Sequence, residues 1–478
     1  MRISNVKISK CVSIVLCLLC SVLCSTFPAR AQIAVRGEIV HTMSGEPIRD
    51  GIIIIRDGRI AEVGTAASVR VPEGFRTLSA RVVTPGLIDA RTVVGLSGYL
   101  NQSQEQDQLE RSQAMQPELR AIDAYNPRER LIEWVRSYGV TTMHTGHAPG
   151  ALISGQTMIV KTTGETVEQA LIVPLAMIAT SLGENGVADG GRSPGTRARA
   201  IAMLRTELIR AQDYERRRTT TEGAEPNRRN RAGREANDRE RSGEQSSGER
   251  TSRENSSNAS REGERRLDDS AQSSRNSQSS QGGQGGSQPP ERSLRLEALV
   301  RVLKREIPLL VTAHRAYDIM SALRLASEFN IRIVLDGASE SYLVANQIRA
   351  ANVPVILHAT MARAGGDTEN LSMETASVLR RAGITVALQS GYEAYVPKTR
   401  VVLYEAGLAA ANGLAFRDAL ASITIDAARI LGIERRVGSI ERGKDGDLVM
   451  FDGDPFEYTS HVTGVIINGQ LVSEREQQ

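Results

Sequence analysis

The sequence predicts an α/β fold, a (β/α)8 barrel carrying a small β-sandwich built from both chain ends. Three observations point there. Both ends are rich in hairpins. The long middle alternates apolar strands with segments of helix length. Hydrophobic residues make up 40% of 478 residues, enough for one large core.

Taken in order, the chain begins with the pattern of an export leader. Arg2, Lys7 and Lys10 precede the apolar run CVSIVLCLLCSVLC, Cys11 to Cys24, which is too short to span a bilayer. Ala29-Arg30-Ala31 then places small residues at the two positions that a signal peptidase reads. Residues 1–31 are therefore expected to be a signal peptide, with the mature chain starting at Gln32 and working in the periplasm or outside the cell. Leu23 before Cys24 argues against a lipid anchor, and no membrane insertion is expected after cleavage. Residues 32–83 form the first part of the sandwich. In GIIIIRDGRIAEVG, Gly51 to Gly64, two apolar runs turn at Asp57-Gly58, a pair suited to the positive φ of a tight hairpin.

Residues 84–436 are expected to be the barrel. GVTTMHTG, Gly139 to Gly146, follows the helical NPRERLIEWVRSY, in which Trp134 reads as core packing. PLLVTAH, Pro308 to His314, leads into a helix reaching Phe329. IRIVLDG, VPVILHA and ITVALQSG follow, each trailed by a helical segment, which is the signature of βα units and a parallel sheet. Residues 216–292 interrupt the pattern. Between Arg216 and Arg292 the only Leu, Ile, Val, Met or aromatic residue is Leu267, so a disordered insertion is expected there. Its arginines alternate with glutamates, which favours a solvated tether over an RNA-binding tail. The flanking TRARAIAMLRTELIRAQDY and SLRLEALVRVLK read as helices. Residues 437–478 return to the sandwich with DLVMFDGDP and a second hairpin turning at Asn468-Gly469.

Composition narrows the function. A net charge of +3 predicts neither a nucleic-acid polyanion nor a membrane surface as partner. All four cysteines, Cys11, Cys17, Cys20 and Cys24, lie in the leader, so disulfides and thiolate ligands are not expected in the mature chain. A metal would have to be held by His, Asp, Glu or a modified Lys.

Three stretches, VVTPGLIDARTVVGL, GVTTMHTGHAPGALISGQ, and SITIDAARILGIERRVGSIERGKDGDLVMFDGDP with VIINGQLV, resemble the amidohydrolase superfamily, in particular its imidazolonepropionase-like branch. The resemblance implies a TIM-like barrel and metal-dependent hydrolysis of C–N bonds. It also implies ligands at the carboxyl ends of the strands: a His-x-His pair on strand one, a modified Lys or a Glu on strand four, a His each on strands five and six, and an Asp on strand eight. Carried over by position, the pair falls on Arg91 and Val93. The strand-five position falls on Thr312, with His314 two residues on. The strand-six position falls on Gly337 and the strand-eight position on Gly391. Lys161 in MIVKTTG is a candidate for strand four. Arginine, valine and glycine side chains have no lone pair to offer a cation. The family's metal site is therefore read as absent.

The residues leave open whether the chemistry moved. His144, His147, His314 and His358, four of six histidines, read as lying at strand ends, where they could rebuild a site for zinc or a similar divalent metal. The simpler reading, which we favour, is that they hydrogen-bond loops. Asp89, Asp336 and Glu393 are the carboxylates that could join them. His41 and His461 fall in sandwich segments. Ser154 and Ser390 sit beside glycines without a nucleophile-elbow pattern, and Gly150 to Gly155 reads as turn geometry. Arg91 could bind a carboxylate or phosphate through its planar fork, or pair with Asp336 or Asp89 and plug the pocket.

The expectation is an exported amidohydrolase-like protein that has lost the usual metal hydrolysis and binds a small molecule at the barrel mouth. Arg91, His144, His147, His314, His358 and Asp336 are the candidate contacts, with no cofactor assigned. The alternative is an active C–N bond hydrolase whose metal site is rearranged.

Overall fold

The computed structural model describes residues 32–100, 102–187, 194–241, 291–358, 363–392 and 401–474. The expected leader lies outside the described residues. Among the described residues, no helix is long and apolar enough to cross a membrane. The chain divides into two compact units, one of Met1–Ala211 with Ser293–Gln478 and one of Gln212–Arg292.

The first unit opens with β1 (Ile33–Val40), β2 (Ile48–Arg56), β3 (Arg59–Thr65) and β4 (Arg76–Pro85). The barrel strands follow: β5 (Leu87–Thr92), β6 (Val140–Gly146), β7 (Ile153–Lys161) with the short β8 (Leu171–Val173) beside it, β9 (Ile178–Ser181), β10 (Leu309–Thr312), β11 (Ile333–Gly337), β12 (Val355–Leu357) and β13 (Val386–Leu388). The chain closes with β14 (Leu448–Phe451), β15 (Val462–Ile467) and β16 (Gln470–Glu474).

Both ends share one seven-stranded sheet in the order β16-β15-β14-β4-β1-β2-β3. The seam is the antiparallel pairing of β4 with β14, in which Val83 faces Met450. Both anticipated hairpins form, with Asp57, Gly58, Asn468 and Gly469 all at positive φ. Ile33, Ile53, Val83 and Ile466 belong to one apolar cluster of this sheet, and Ile52, Ile54 and Val69 to another.

The barrel sheet runs β13-β12-β11-β10-β9-β7-β6-β5. Closure onto β5 comes from the Ser390 N–H, which donates to Asp89 at 3.1 Å, and the Gly391 N–H, which donates to the Arg91 carbonyl at 3.3 Å. Ile88, Ile159, Leu310, Val334, Ile356 and Ala387 pack a solid apolar layer from six of its strands. One strand departs from the parallel pattern: β7 runs antiparallel to both β6 and β9. The connection 147–152 is too short to carry a crossover helix, so the chain can only turn back as a hairpin.

That reversal moves Lys161 away from the mouth. It pairs with Thr142 near the amino end of β6 and is 2% exposed. Its ammonium lies 3.2 Å from Asp445 and hydrogen-bonds Asp447. Asp445 also receives Arg436 at 2.9 Å, and Asp447 accepts the Asn468 N–H at 2.8 Å. Lys161 therefore ties the barrel to the end-built sheet and is not a strand-four ligand. In sheet order the fourth barrel strand is β9, which ends in Ser181.

The expected insertion is corrected in its first part. The helix Arg197–Arg241 runs on past Arg216, so 216–241 is helical where composition had suggested disorder. Arginine and glutamate are good helix formers, and a helix needs no buried face to satisfy its own backbone. The remainder, 242–290, lies outside the described residues. Trp134 packs partly buried against its cluster and stands edge-on to Tyr138 at 4.8 Å, as expected of core packing.

Removing the Lys161 ammonium leaves two buried carboxylates without their shared cation. Lys161→Ala should lower stability by about 3–5 kcal/mol in urea unfolding. A loss below ~1 kcal/mol would show that Arg436, with Arg59 3.7 Å away, suffices to hold Asp445.

Candidate functional site at the barrel mouth

The mouth is built from the carboxyl ends of the parallel strands. On β5, one carboxylate oxygen of Asp89 accepts the Arg91 N–H at 3.2 Å and the Ser390 N–H at 3.1 Å, joining the first and last barrel strands. Burial pushes its carboxyl up to about 6, and the bonds from Ser390 and Arg91 offset only part of that rise.

The Arg91 side chain is 3% exposed. Its guanidinium donates to the Thr92 carbonyl at 3.1 Å and to the His147 carbonyl. Among the described residues it makes no ion pair. Of the fork's five N–H donors, three are left without a protein acceptor among the described residues. Burial pulls its pKa down while the fields of Asp336 and Asp89 push it back up, so it stays charged. The pairing expected with these carboxylates is thus electrostatic and not a direct contact. Asp336 is committed elsewhere: one oxygen accepts the Thr312 hydroxyl at 2.5 Å and the other the Gln389 amide at 2.8 Å.

The four rim histidines have separate fates. His144 Nδ1 donates to the Ala90 carbonyl at 2.8 Å, which leaves Nε2 to accept the Thr157 hydroxyl at 2.6 Å. Burial, together with the Arg91 charge, drives its pKa down to about 3, so the ring is neutral with both nitrogens engaged. His147 lies against Gly155, and neither ring nitrogen has a hydrogen-bond partner; the Gln108 backbone faces it without one of good geometry. Burial and Arg91 lower His147 to about 4. His314 bonds Ser339 through Nδ1 at 2.8 Å, and its ring covers Gly337 so closely that a Cβ there would stand 2.5 Å from Cε1. Burial lowers its pKa, against the raising fields of Asp336, Asp367 and Glu184. His358 is buried after β12, its N–H donating to the Gly337 carbonyl at 2.9 Å.

The mouth therefore brings Arg91, His144, His147, Asp89 and Asp336 into one electrostatic group. Among the described residues, no three His, Cys, Asp or Glu are placed to hold a metal ion. The positions that would carry the ligands hold Arg91, Val93, Thr312, Gly337 and Gly391, and the Thr312 hydroxyl is already bound to Asp336. His144 has no free nitrogen. These residues do not fit the family's metal centre. Ser154 is buried, and among the described residues its hydroxyl has no hydrogen-bond partner and so no base beside it. Glu393 lies outside the described residues.

Several participants were not read from the sequence. Gln389 and Thr157 have no motif of their own. A second cluster rims the mouth: Arg197 bonds Asp318 at 3.1 Å and Asp367 at 3.0 Å, Arg315 bonds Glu340 at 2.8 Å, and the Glu184 N–H donates to Asp367 at 2.6 Å. These residues come from loops and helix starts far apart in the chain, so no local pattern announces them.

A closed barrel with a polar mouth, joined to a sheet made from both chain ends, is the scaffold of the barrel amidohydrolases. Residues 368–472 match the model of the Amidohydrolase family. An imidazolonepropionase of Thermoplasma volcanium is 42% identical over 67 residues, a stretch spanning 13% of this chain and 17% of that relative. The structure superposes on an amidohydrolase from Thermotoga maritima MSB8 with a TM-score of 0.73 and 23% identity, over 93% of this chain and 100% of that one. A zinc-bound adenosine deaminase from Xanthomonas campestris gives 0.50 and 15% identity over 93% of each chain. The C-terminal part of the chain thus carries the sequence pattern of the Amidohydrolase family, and the chain shares the fold of these structures.

The neutral rings carry a pH signature. His144 and His147 fall from 6.5 to about 3 and about 4, so the unfolded chain takes up protons that the folded chain refuses. Their contribution is whole above pH ~6.5 and is lost as pH falls, each by about 2 kcal/mol between pH 7 and pH 5. Asp89, raised from 3.8 to about 6, acts in the opposite sense: stability is lost as pH rises through its folded value. His144→Asn, which keeps a donor for Ala90, should be less stable at pH 7 yet lose less between pH 7 and pH 5 than wild type. Equal losses in urea titrations would contradict a neutral His144.

Proposed function

We propose that this chain is a ligand-binding member of the amidohydrolase superfamily in which a fixed cation, Arg91, stands in place of the family's metal. A small anion, a carboxylate or phosphate, would be held at the barrel mouth without hydrolysis of a C–N bond. The observation that carries this reading is the Arg91 guanidinium at the strand-one position, permanently charged and with N–H donors left over. Asp89 and Asp336 temper its charge without contacting it, so an incoming anion does not have to break an ion pair. His147, with both nitrogens unpartnered beside Arg91, is the second contact we assign to the ligand. We also infer export, on the strength of Arg2, Lys7, Lys10, the apolar run to Cys24 and Ala29-Arg30-Ala31. N-terminal sequencing of the mature chain should begin at Gln32.

The names of the relatives set the competing reading, hydrolysis at a rebuilt metal site. Elemental analysis of protein purified without chelators separates the two. The expected result is substoichiometric metal, with succinate or inorganic phosphate raising the Tm of wild type in a dose-dependent way. Arg91→Lys, which keeps the charge but loses the fork, should show at least a tenfold weaker response. Stoichiometric zinc that disappears in both His144→Ala and His314→Ala, together with amide hydrolysis abolished by chelators, would overturn the proposal.

A further inference from the structure

At the end of the barrel opposite the mouth, a cleft of about 870 Å³ opens beneath β10 to β13. Its size suits a small organic ligand. Four arginines, Arg305, Arg332, Arg349 and Arg429, line it, and no Asp or Glu is among the lining residues. Leu323, Ile333, Ile384 and Ile430 supply apolar wall between them.

The arginines differ in how far their donors are used. Arg305 bonds the Asn330 carbonyl at 2.9 Å and its side-chain oxygen at 2.7 Å. Arg332 donates to the Glu306 carbonyl at 2.8 Å, and Arg429 to Asp426 at 2.8 Å. The Arg349 guanidinium has no hydrogen bond or ion pair among the described residues, and the residue is exposed. Arginines near helix C-termini often do no more than cap the last carbonyls, so the charge balance decides. The helices Leu294–Leu303, Ala316–Phe329, Ala345–Ala350, Thr375–Arg381 and Ile425–Leu431 end around the cleft. At about −0.5 each they bring at most about −2.5, and Asp426 brings one more negative charge, against four full positive charges. A surplus of about half a positive charge remains even at that upper limit, beside apolar wall.

We infer that this cleft is a second binding site, separate from the mouth, for an organic anion with an apolar body. The body lies on the wall of Leu323, Ile333 and Ile384, and the carboxylate, sulfonate or phosphate head meets Arg349 and the neighbouring guanidinium groups. An anion of this kind gains from both surfaces at once, because the bidentate fork holds the head while burial removes the body from water. The site does not depend on Arg91, so its fate is independent of the function proposed above.

The full-length mature protein tests this directly with 8-anilino-1-naphthalenesulfonate, an anionic apolar dye, and N-phenyl-1-naphthylamine, its uncharged counterpart. Saturable one-to-one fluorescence enhancement by the anionic dye is expected. Arg332→Glu/Arg349→Glu should weaken it at least tenfold. Arg349→Glu alone breaks no side-chain hydrogen bond or ion pair among the described residues and should weaken it at least threefold. Far-ultraviolet circular dichroism confirms that the variants are folded. Absence of saturable binding, equal affinity for both dyes, or full affinity in the folded Arg349→Glu variant would overturn the inference.

Discussion

A guanidinium buried at the barrel mouth is the constraint on which the site depends. Arginine cannot escape burial by giving up its proton, as a lysine can, so the surroundings have to accommodate a full charge. They do so in layers. Backbone carbonyls of Thr92 and His147 take two of its donors, Asp89 and Asp336 supply opposite fields, and His144 and His147 are held neutral. A second cation beside this group would raise the electrostatic cost sharply. The Arg91 charge therefore disfavours any further cation at this point of the mouth.

The two ends of the barrel carry different tasks. At the amino end, Lys161, Asp445, Asp447 and Arg436 lock β7 to the sheet that the chain termini share. Closure at the other end runs through Asp89 and Ser390 and through Arg91 and Gly391. None of these contacts needs a metal. The packed layer of Ile88, Ile159, Leu310 and Val334 lies between the two ends and makes the fold stable whatever happens at the rim. This separation leaves the scaffold independent of the side chains at the rim.

Legibility followed the range of the interaction. Hairpins at Asp57-Gly58 and Asn468-Gly469 were readable because the turn chemistry sits in adjacent residues. The parallel strands β10 to β13 were readable from apolar runs of the right length. Lys161 was misplaced because periodicity identifies a strand but not its direction, and β7 runs the other way. The engagement of His144 by Thr157 depends on a hairpin register that no single stretch encodes. Pairings such as Arg197 with Asp367 or Lys161 with Asp447 exist only after the barrel has closed. The helix through Arg241 was missed for a different reason: composition reports the lack of a core, and a helix can form without one.

Gly337 shows why the exchange at the mouth is cooperative. It has φ +76, a conformation that suits glycine, and the imidazole of His314 occupies the space a side chain would need. Restoring a histidine at that position would meet both the backbone and the His314 ring, which is itself tied to Ser339. His147 covers Gly155 in the same manner on the other side of β6. Two imidazoles thus fill volume vacated at strand ends, one presenting unpartnered nitrogens beside Arg91 and the other facing Asp336 and Asp367. A side chain at Gly337 or Gly155 would meet these rings, so a substitution at either glycine requires the neighbouring imidazole to move as well.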